Sequence, residues 1–207
     1  MTTADQLTKP FSTEVIQREE EESLEPQEPQ AKDTDKVKVN KYLLDPHEKK
    51  SREVEDIKGD LMMIEIDGYY MYKSLSEPHG FHLRGAYAIA HSQINDSDPL
   101  RFFVIRKNLS DTNDPNPECE VIVNPRIVRH TNYKHKKAEG CMSFPFTESL
   151  AETGRYNKIT VEFQTVGERD GEMHLSPLQT RELHGLEAQI WQHELDHFNC
   201  KYIYILI

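Results

Sequence analysis

The stretch Gln192-His193-Glu194-Leu195-Asp196-His197, near the end of the chain, decides the fold because it sets two histidines four residues apart around a glutamate. On a helix, residues at this spacing lie on one face, so both imidazoles can reach one metal ion. Glu194 lies about 100° around the helix from His193 and can face a water molecule without being a ligand. This HExxH pattern is typical of metal-assisted hydrolysis, in which the ion acidifies water and the carboxylate removes its proton.

The residues around this motif predict a helix between positions 183 and 199. Four residues recur there at three- and four-residue spacing on one side: Leu186, Ile190, His193 and His197. The apolar run from Leu186 to Trp191 predicts that this side is buried, and a metal would satisfy two buried histidines at once. The same pattern also arises by chance on surface helices. A short closing strand is predicted at residues 202–205.

A catalytic metal site needs a third protein ligand. After His197 the sequence has no His, Asp or Glu, and Cys200 would lie about 10 Å along the helix axis from His193, too far to share one ion. The ligand should therefore come from upstream. The best donor is Cys141, which follows a glycine that allows close backbone approach, and whose thiolate binds Zn(II) or Fe(II) strongly. Taken alone, a single cysteine in a turn is more often a small buried apolar residue.

The two motifs together resemble those of the peptide deformylase family. Glu139-Gly140-Cys141-Met142-Ser143 is similar to that family's EGCLS, and residues 192–197 match its QHExDH in full. Weaker similarity is carried by three further segments: Val123-Asn124-Pro125, Gly154-Arg155 before Ile159-Thr160-Val161, and Gly185-Leu186 before the metal helix. The resemblance extends over residues 40–205.

The resemblance implies an α+β fold in which antiparallel β-sheets wrap around a central helix carrying HExxH. It implies one divalent metal ion, Fe(II) in the cell, with Zn(II) or Ni(II) able to substitute. The implied ligands are Cys141, His193 and His197. Glu194 is expected to act as general base, and the Gln93 side-chain amide and the Met142 backbone N–H to bind the developing oxyanion. Asp196 is expected to pair with Arg155.

The implied activity is hydrolysis of the N-formyl group from the N-terminal methionine of newly made polypeptides, with release of formate. N-formyl-methionyl nascent peptides are the expected partners, and a contact with the ribosome is left open. Ile89 and Ile190 are predicted to line the pocket for the methionine side chain.

The first motif of the family, GxGLAAPQ, is altered in this chain. The corresponding segment is Ala86-Tyr87-Ala88-Ile89-Ala90-His91-Ser92-Gln93, in which Ala replaces both Gly and His91-Ser92 replaces Ala-Pro. Because alanine adopts positive φ less readily than glycine, the alteration is expected to affect the substrate pocket more than the metal site. His91 could be a fourth metal ligand or a substrate contact. The favoured interpretation is that it is a loop histidine with neither role. Two alternative functions remain: a deformylase-like metal-binding protein with an altered or lost pocket, and a zincin-type peptidase, which would lack its downstream ligand.

The N-terminal segment differs in composition from the rest. The acidic run Glu19–Glu22 and the Glu- and Pro-rich residues 25–29 have little to bury, which predicts a disordered acidic extension over residues 1–36 and a catalytic domain over residues 37–207. Elsewhere a helix is predicted at Ile57–Tyr72, although a strand is an alternative there. The other predicted elements are strands at Phe102–Ile105, Val121–Val123 and Ile159–Phe163, with a loop at Asn113–Pro117.

The bulk properties favour a cytoplasmic location, and a monomer is expected. The net charge of −11 argues against direct nucleic-acid binding, and no apolar run is long enough to span a membrane. The three cysteines, without CxxC spacing, form a poor disulfide framework and suit a reducing compartment.

Overall fold

The computed structural model describes residues 49–76, 86–111, 114–143 and 151–203. Within these ranges the chain forms two α-helices, nine β-strands and one 3₁₀ turn. In chain order they are α1 (Lys58–Ser76), β1 (Ala88–Ala90), the 3₁₀ turn (His91–Gln93), β2 (Phe102–Arg106), β3 (Cys119–His130), β4 (Lys134–Glu139), β5 (Ala151–Tyr156), β6 (Lys158–Gln164), β7 (Val166–Arg169), β8 (Glu172–Leu175), β9 (Gln179–His184) and α2 (Gly185–His197). Neither helix is long and apolar enough to cross a membrane.

All described strand pairings within the sheets are antiparallel. One sheet has five strands in the order β1-β2-β3-β6-β9, and two smaller sheets pair β4 with β5 and β7 with β8. The helix α2, which carries the HExxH motif, packs against β1, β6 and β9 of the large sheet and against β5 of a small one. The predicted α+β architecture, with antiparallel sheets around this helix, is confirmed.

Strand β2 of the large sheet is buried on both faces. Phe103 of β2 packs edge-on against Trp191 of α2, with ring centroids 5.1 Å apart. The preceding residue, Phe102, points the other way and joins Ile64 and Met71 of α1 in a second core cluster. Since alternate residues of a strand face opposite sides, a strand buried on both faces should be apolar, and β2 is apolar from Phe102 to Ile105 and ends at Arg106. Each fully buried large side chain contributes about 1.5–3 kcal/mol to folding.

A glycine sets the point at which α2 begins. Gly185 has φ of +56°, a conformation that glycine adopts at little cost, and its N–H donates to Asn157 O at 2.9 Å. The chain turns there from β9 into the helix, so the predicted start at Leu183 is wrong: Leu183 is buried in β9. Leu186 is 42% exposed, contrary to the predicted buried run, and the buried side starts with Ala188.

The remaining elements follow the sequence closely. The helix predicted at Ile57–Tyr72 is α1, which continues to Ser76, and the three predicted strands lie within β2, β3 and β6. Residues 114–118 form no regular element, as predicted for that loop, whose Asn113 lies outside the described residues. Tyr202 and Ile203 are buried but are not in a strand, so the closing strand is wrong in that part, and residues 204–205 lie outside the described ranges. The predicted extension, residues 1–36, also lies outside them.

A buried arginine anchors the start of the first motif. The guanidinium of Arg106 donates to three backbone carbonyls: Leu75 O at 2.5 Å, Ala86 O at 2.9 Å and Asp114 O at 3.2 Å. Leu75 lies in the last turn of α1, where carbonyls lack helical partners and carry partial negative charge. The end of α1 and the entry to β1 are thereby held together.

Candidate active site

Three side chains meet beside α2. His193 and His197 project from one side of the helix, with ring centroids 5.0 Å apart, and Cys141 comes from the segment after β4. The Cys141 Sγ lies 3.4 Å from His197 Nε2, and one donor atom from each of the three residues lies within 4.8 Å of the others. In the described part of the chain this is the one group of three or more such residues close enough to hold a metal ion.

The chemistry of these donors fits one divalent ion. Two imidazoles and a thiolate are the ligand types that Zn(II) and Fe(II) bind, and three protein ligands leave a coordination position open, as catalytic sites require. Cys200 is not in the group, which agrees with the argument from helix geometry. Cys119 is not in it either, and burial raises the pKa of that thiol to about 12.

A carboxylate behind the cluster orients His193. Glu139 Oε2 lies 3.0 Å from His193 Nδ1, so the other ring nitrogen, Nε2, is left to face the ligand cluster. Glu139 also accepts hydrogen bonds from the Arg155 guanidinium at 2.6 and 2.8 Å and from the Thr153 hydroxyl at 2.7 Å. Arg155 in turn donates to Asp196 at 2.5 Å, so the predicted Arg155–Asp196 pair is confirmed.

The role of Glu139 was not predicted. A signal for it existed, because ligand histidines usually bond a carboxylate through their second nitrogen and Glu139 stands two residues before Cys141. Burial alone would raise the pKa of Glu139, but hydrogen bonds from Arg155 and His193 outweigh it and lower the pKa to about 2. Burial would likewise lower the pKa of His193, and its contacts with Cys141 and Glu139 raise it to about 10. Glu139 is therefore held as a carboxylate that can accept the His193 Nδ1–H, and a metal ion at Nε2 would take the place of the second proton on His193.

Glu194 lies on the same helix beside the ligands. Its side chain is buried, and Oε2 has no hydrogen-bond partner among the described residues. Burial, opposed by the nearby charge of His193, raises the pKa of Glu194 to about 7. A buried carboxylate that needs a partner and exchanges a proton near neutrality is suited to general-base work on a water molecule.

Gln93 faces the segment that contains Cys141. Its Oε1 accepts the Ala90 N–H at 2.9 Å, which identifies the oxygen, because a backbone N–H can only donate. The amide Nε2 donates to Ser143 Oγ at 3.1 Å, and Ser143 directly follows Met142. The Gln93 amide, one of the two predicted oxyanion donors, thus contacts the residue that follows Met142, whose backbone N–H is the other predicted donor.

The comparisons with known proteins identify the family of this chain. The model of the polypeptide deformylase family matches residues 38–205. The chain belongs to this family. A peptide deformylase of Mesorhizobium japonicum is 34% identical over 111 residues, which are 54% of this chain and 56% of the relative. Alignments with such curated relatives therefore span little more than half of their length.

Solved structures of the deformylase family share the fold. A peptide deformylase from Legionella pneumophila is 26% identical, with a TM-score of 0.57, over 82% of this chain and 86% of that chain. A plant enzyme, Arabidopsis thaliana peptide deformylase 1B, has a TM-score of 0.56 at 19% identity, over 80% of each chain.

The altered first motif of this deformylase-family chain is packed into the core. Both ring nitrogens of His91 contact protein groups, Asp67 and the Leu100 N–H, each at 2.8 Å, so His91 is not a fourth ligand. The favoured interpretation, that His91 neither binds the metal nor touches substrate, fits this burial. Ile89 lies in the core cluster with α1, whereas Ile190 lies in the cluster with α2, so these two predicted pocket residues belong to different core clusters.

Proposed function

We propose that this protein removes the N-formyl group from the N-terminal methionine of newly made polypeptides by hydrolysis, releasing formate. The observation that supports this best is the meeting of Cys141, His193 and His197 beside the buried carboxylate of Glu194, in a chain of the deformylase family. A metal-ligand set with an adjacent general base is one arrangement that can hydrolyse an unactivated amide.

Cys141, His193 and His197 would hold the ion. A thiolate with two imidazoles suits several divalent metals, and we propose Fe(II) in the cell, with Zn(II) or Ni(II) able to take its place. The bound ion would supply Lewis acidity toward water and toward the formyl carbonyl. Glu139 would keep His193 in the tautomer that presents Nε2 to the ion.

The chain's own residues would carry out the proton transfers. Glu194 would take a proton from the attacking water and deliver it to the amine of the methionine as the carbon–nitrogen bond breaks. Water thus adds its oxygen to the formyl carbon, and formate and a free amino terminus leave. The Gln93 amide and the Met142 N–H would donate to the carbonyl oxygen as its negative charge develops, and each such donor is worth about 10²–10³ in kcat.

The substrate proposed is an extended N-formyl-methionyl peptide, and the setting is the cytoplasm, where nascent chains are made. We propose a monomer with one active site in the domain over residues 37–207. A ribosome contact belongs to the same proposal, since the substrate emerges there. The acidic residues 1–36 are assigned no part in catalysis.

The test is formate release from N-formyl-Met-Ala-Ser by the Fe(II)- or Ni(II)-loaded protein. We expect formate and the free peptide in equal amounts, with saturable kinetics. The same peptide with an N-acetyl group is the matched control, because the extra methyl group crowds the attacked carbon. A metal-loaded, folded protein that releases no formate would favour the alternative that the altered first motif has left a metal-binding protein without deformylase activity. Cleavage of the internal Met-Ala bond would favour the zincin-type peptidase.

A further inference from the structure

His91 is fully buried and is held by three contacts. Its Nδ1 accepts the backbone N–H of Leu100 at 2.8 Å, and its Nε2 lies 2.8 Å from Asp67 Oδ2 on α1. The ring also stacks on Phe102 of β2, with centroids 4.5 Å apart and 24° between the planes. One side chain therefore joins α1, β2 and the loop that leads into β2.

These partners determine the tautomer of the ring. A backbone N–H can only donate, so Nδ1 of His91 must carry a lone pair and the proton must sit on Nε2. Nε2–H then donates to the Asp67 carboxylate, which can only accept when ionised. Each polar atom of the ring is satisfied, and a second proton on Nδ1 would face the Leu100 N–H.

The backbone of His91 starts the turn that ends at Gln93. Its carbonyl accepts the N–H groups of Ile94 and Asn95, both at 3.0 Å, and this closes the 3₁₀ turn. The residue between, Ser92, has no ring to restrict its φ, whereas proline stands there in the family motif. The conformation of this turn decides where the Gln93 amide points.

We propose that His91 is a positioning residue: the Asp67–His91–Leu100 chain of hydrogen bonds holds the 3₁₀ turn so that the Gln93 amide faces the segment carrying Cys141. In the family motif, proline at the position of Ser92 restricts the backbone of the turn. In this chain the hydrogen bonds of the His91 side chain restrict the turn instead. In this chain the site thereby depends on α1, which contributes no residue to it directly. The inference rests on the proposed function for its kinetic effect, but its structural effect on Gln93 can be measured without turnover.

The kinetic test uses His91→Ala and the milder Asp67→Asn in the nickel-loaded full chain. Misplacing the amide should lower kcat for formate release by roughly 10- to 100-fold, with KM changed by less than about threefold and one metal per chain retained. In a Gln93→Ala background His91→Ala should cost less than about twofold more, because the group through which His91 acts is gone. Losses that multiply in the double variant would overturn the proposal.

The structural test follows the Gln93 side-chain amide by NMR in protein labelled with 15N-glutamine. Its two N–H signals, assigned by their loss in Gln93→Ala, should be distinct and protected in the wild type and averaged or exchange-broadened in His91→Ala and Asp67→Asn. Ile66→Ala, which changes an exposed side chain of α1 next to Asp67 in the sequence, is the matched control and should leave both the signals and kcat unchanged. Unaltered Gln93 signals in both His91→Ala and Asp67→Asn would overturn the inference. Altered signals in a protein that releases no formate would support it while the proposed function fails.

Discussion

The Nδ1 atom of His193 lies 3.0 Å from Glu139 Oε2, and the same carboxylate accepts hydrogen bonds from Arg155 and Thr153. Glu139 thus fixes the His193 imidazole and is itself held in place by Arg155. Through Arg155 the same charge network includes Asp196, the residue before His197. Because Glu139 is two residues from Cys141, one short segment supplies both a candidate ligand and the group that orients another.

Glu139→Gln tests this arrangement. The amide keeps the shape of the side chain but removes the negative charge that both Arg155 and the ring N–H require. We expect metal affinity to fall roughly 10- to 100-fold, as measured by competition with a chelator. Glu152→Gln is the control, since that carboxylate pairs with Lys136 on the exposed side of the β4–β5 pair. Equal affinities for the two variants would contradict the role given to Glu139.

Glu194→Ala tests the division of labour beside the metal. The carboxylate is expected to move protons without being a ligand, so one metal ion per chain should remain bound. The rate of formate release should fall by at least about 10²-fold, because general acid–base catalysis contributes that much or more. Metal content and kcat are measured on the same preparation. Loss of the metal in this variant would show that Glu194 is a ligand and that the assignment is wrong.

The outcome for individual residues shows what the sequence could predict. The i, i+4 histidines predicted a shared face because helix geometry is local, and the Arg155–Asp196 pair followed from charge and family resemblance. Local pattern failed at Leu186, since the turn at Gly185 decides which side of the helix meets the sheet. Local sequence pattern also could not predict that His91 pairs with Asp67. The two residues are 24 positions apart and are brought together by the packing of α1 on the sheet.

Asp60 at the start of α1 should make stability depend on pH. The hydrogen bonds from Arg52, at 2.7 and 2.8 Å, lower the pKa of this buried carboxyl group. Since the pKa is lower in the folded than in the unfolded chain, the ionised form stabilises the fold. This contribution is complete above the unfolded pKa, about 3.9, and is lost as pH falls through the lower folded pKa.

Asp60→Asn should therefore lower the free energy of unfolding by about 1–3 kcal/mol near pH 7. The difference from wild type should shrink as the pH falls from the unfolded pKa, about 3.9, through the lower folded pKa. Urea unfolding at a series of pH values measures this. Asp98→Asn is the control: Asp98 also pairs with Arg52 but is half exposed, so its loss should cost less than about 1 kcal/mol. A pH-independent effect of Asp60→Asn would contradict the linkage.

Deletion of residues 1–36 tests the predicted domain boundary. That segment is rich in Glu and Pro and has little apolar surface to bury, so its removal should leave Tm and formate release within experimental error of the full chain. Differential scanning calorimetry and the formate assay are the measurements. A clear drop in Tm would mean that the acidic segment packs on the domain.

Cys141 is the ligand whose assignment depends most on context, and its replacement is the sharpest test of the site. Cys141→Ser should lower metal affinity sharply, whereas Cys119→Ser and Cys200→Ser should keep close to one metal per chain after gel filtration. Cys119 is a fitting control because its raised pKa disfavours the thiolate that a metal binds. A thiolate ligand also predicts that the iron form loses activity in air while the nickel form persists, since Fe(II) and sulfur are both readily oxidised. If Cys141→Ser keeps a full equivalent of metal while Cys200→Ser loses it, Cys141 is not the third ligand. The proposed hydrolytic site would then be wrong.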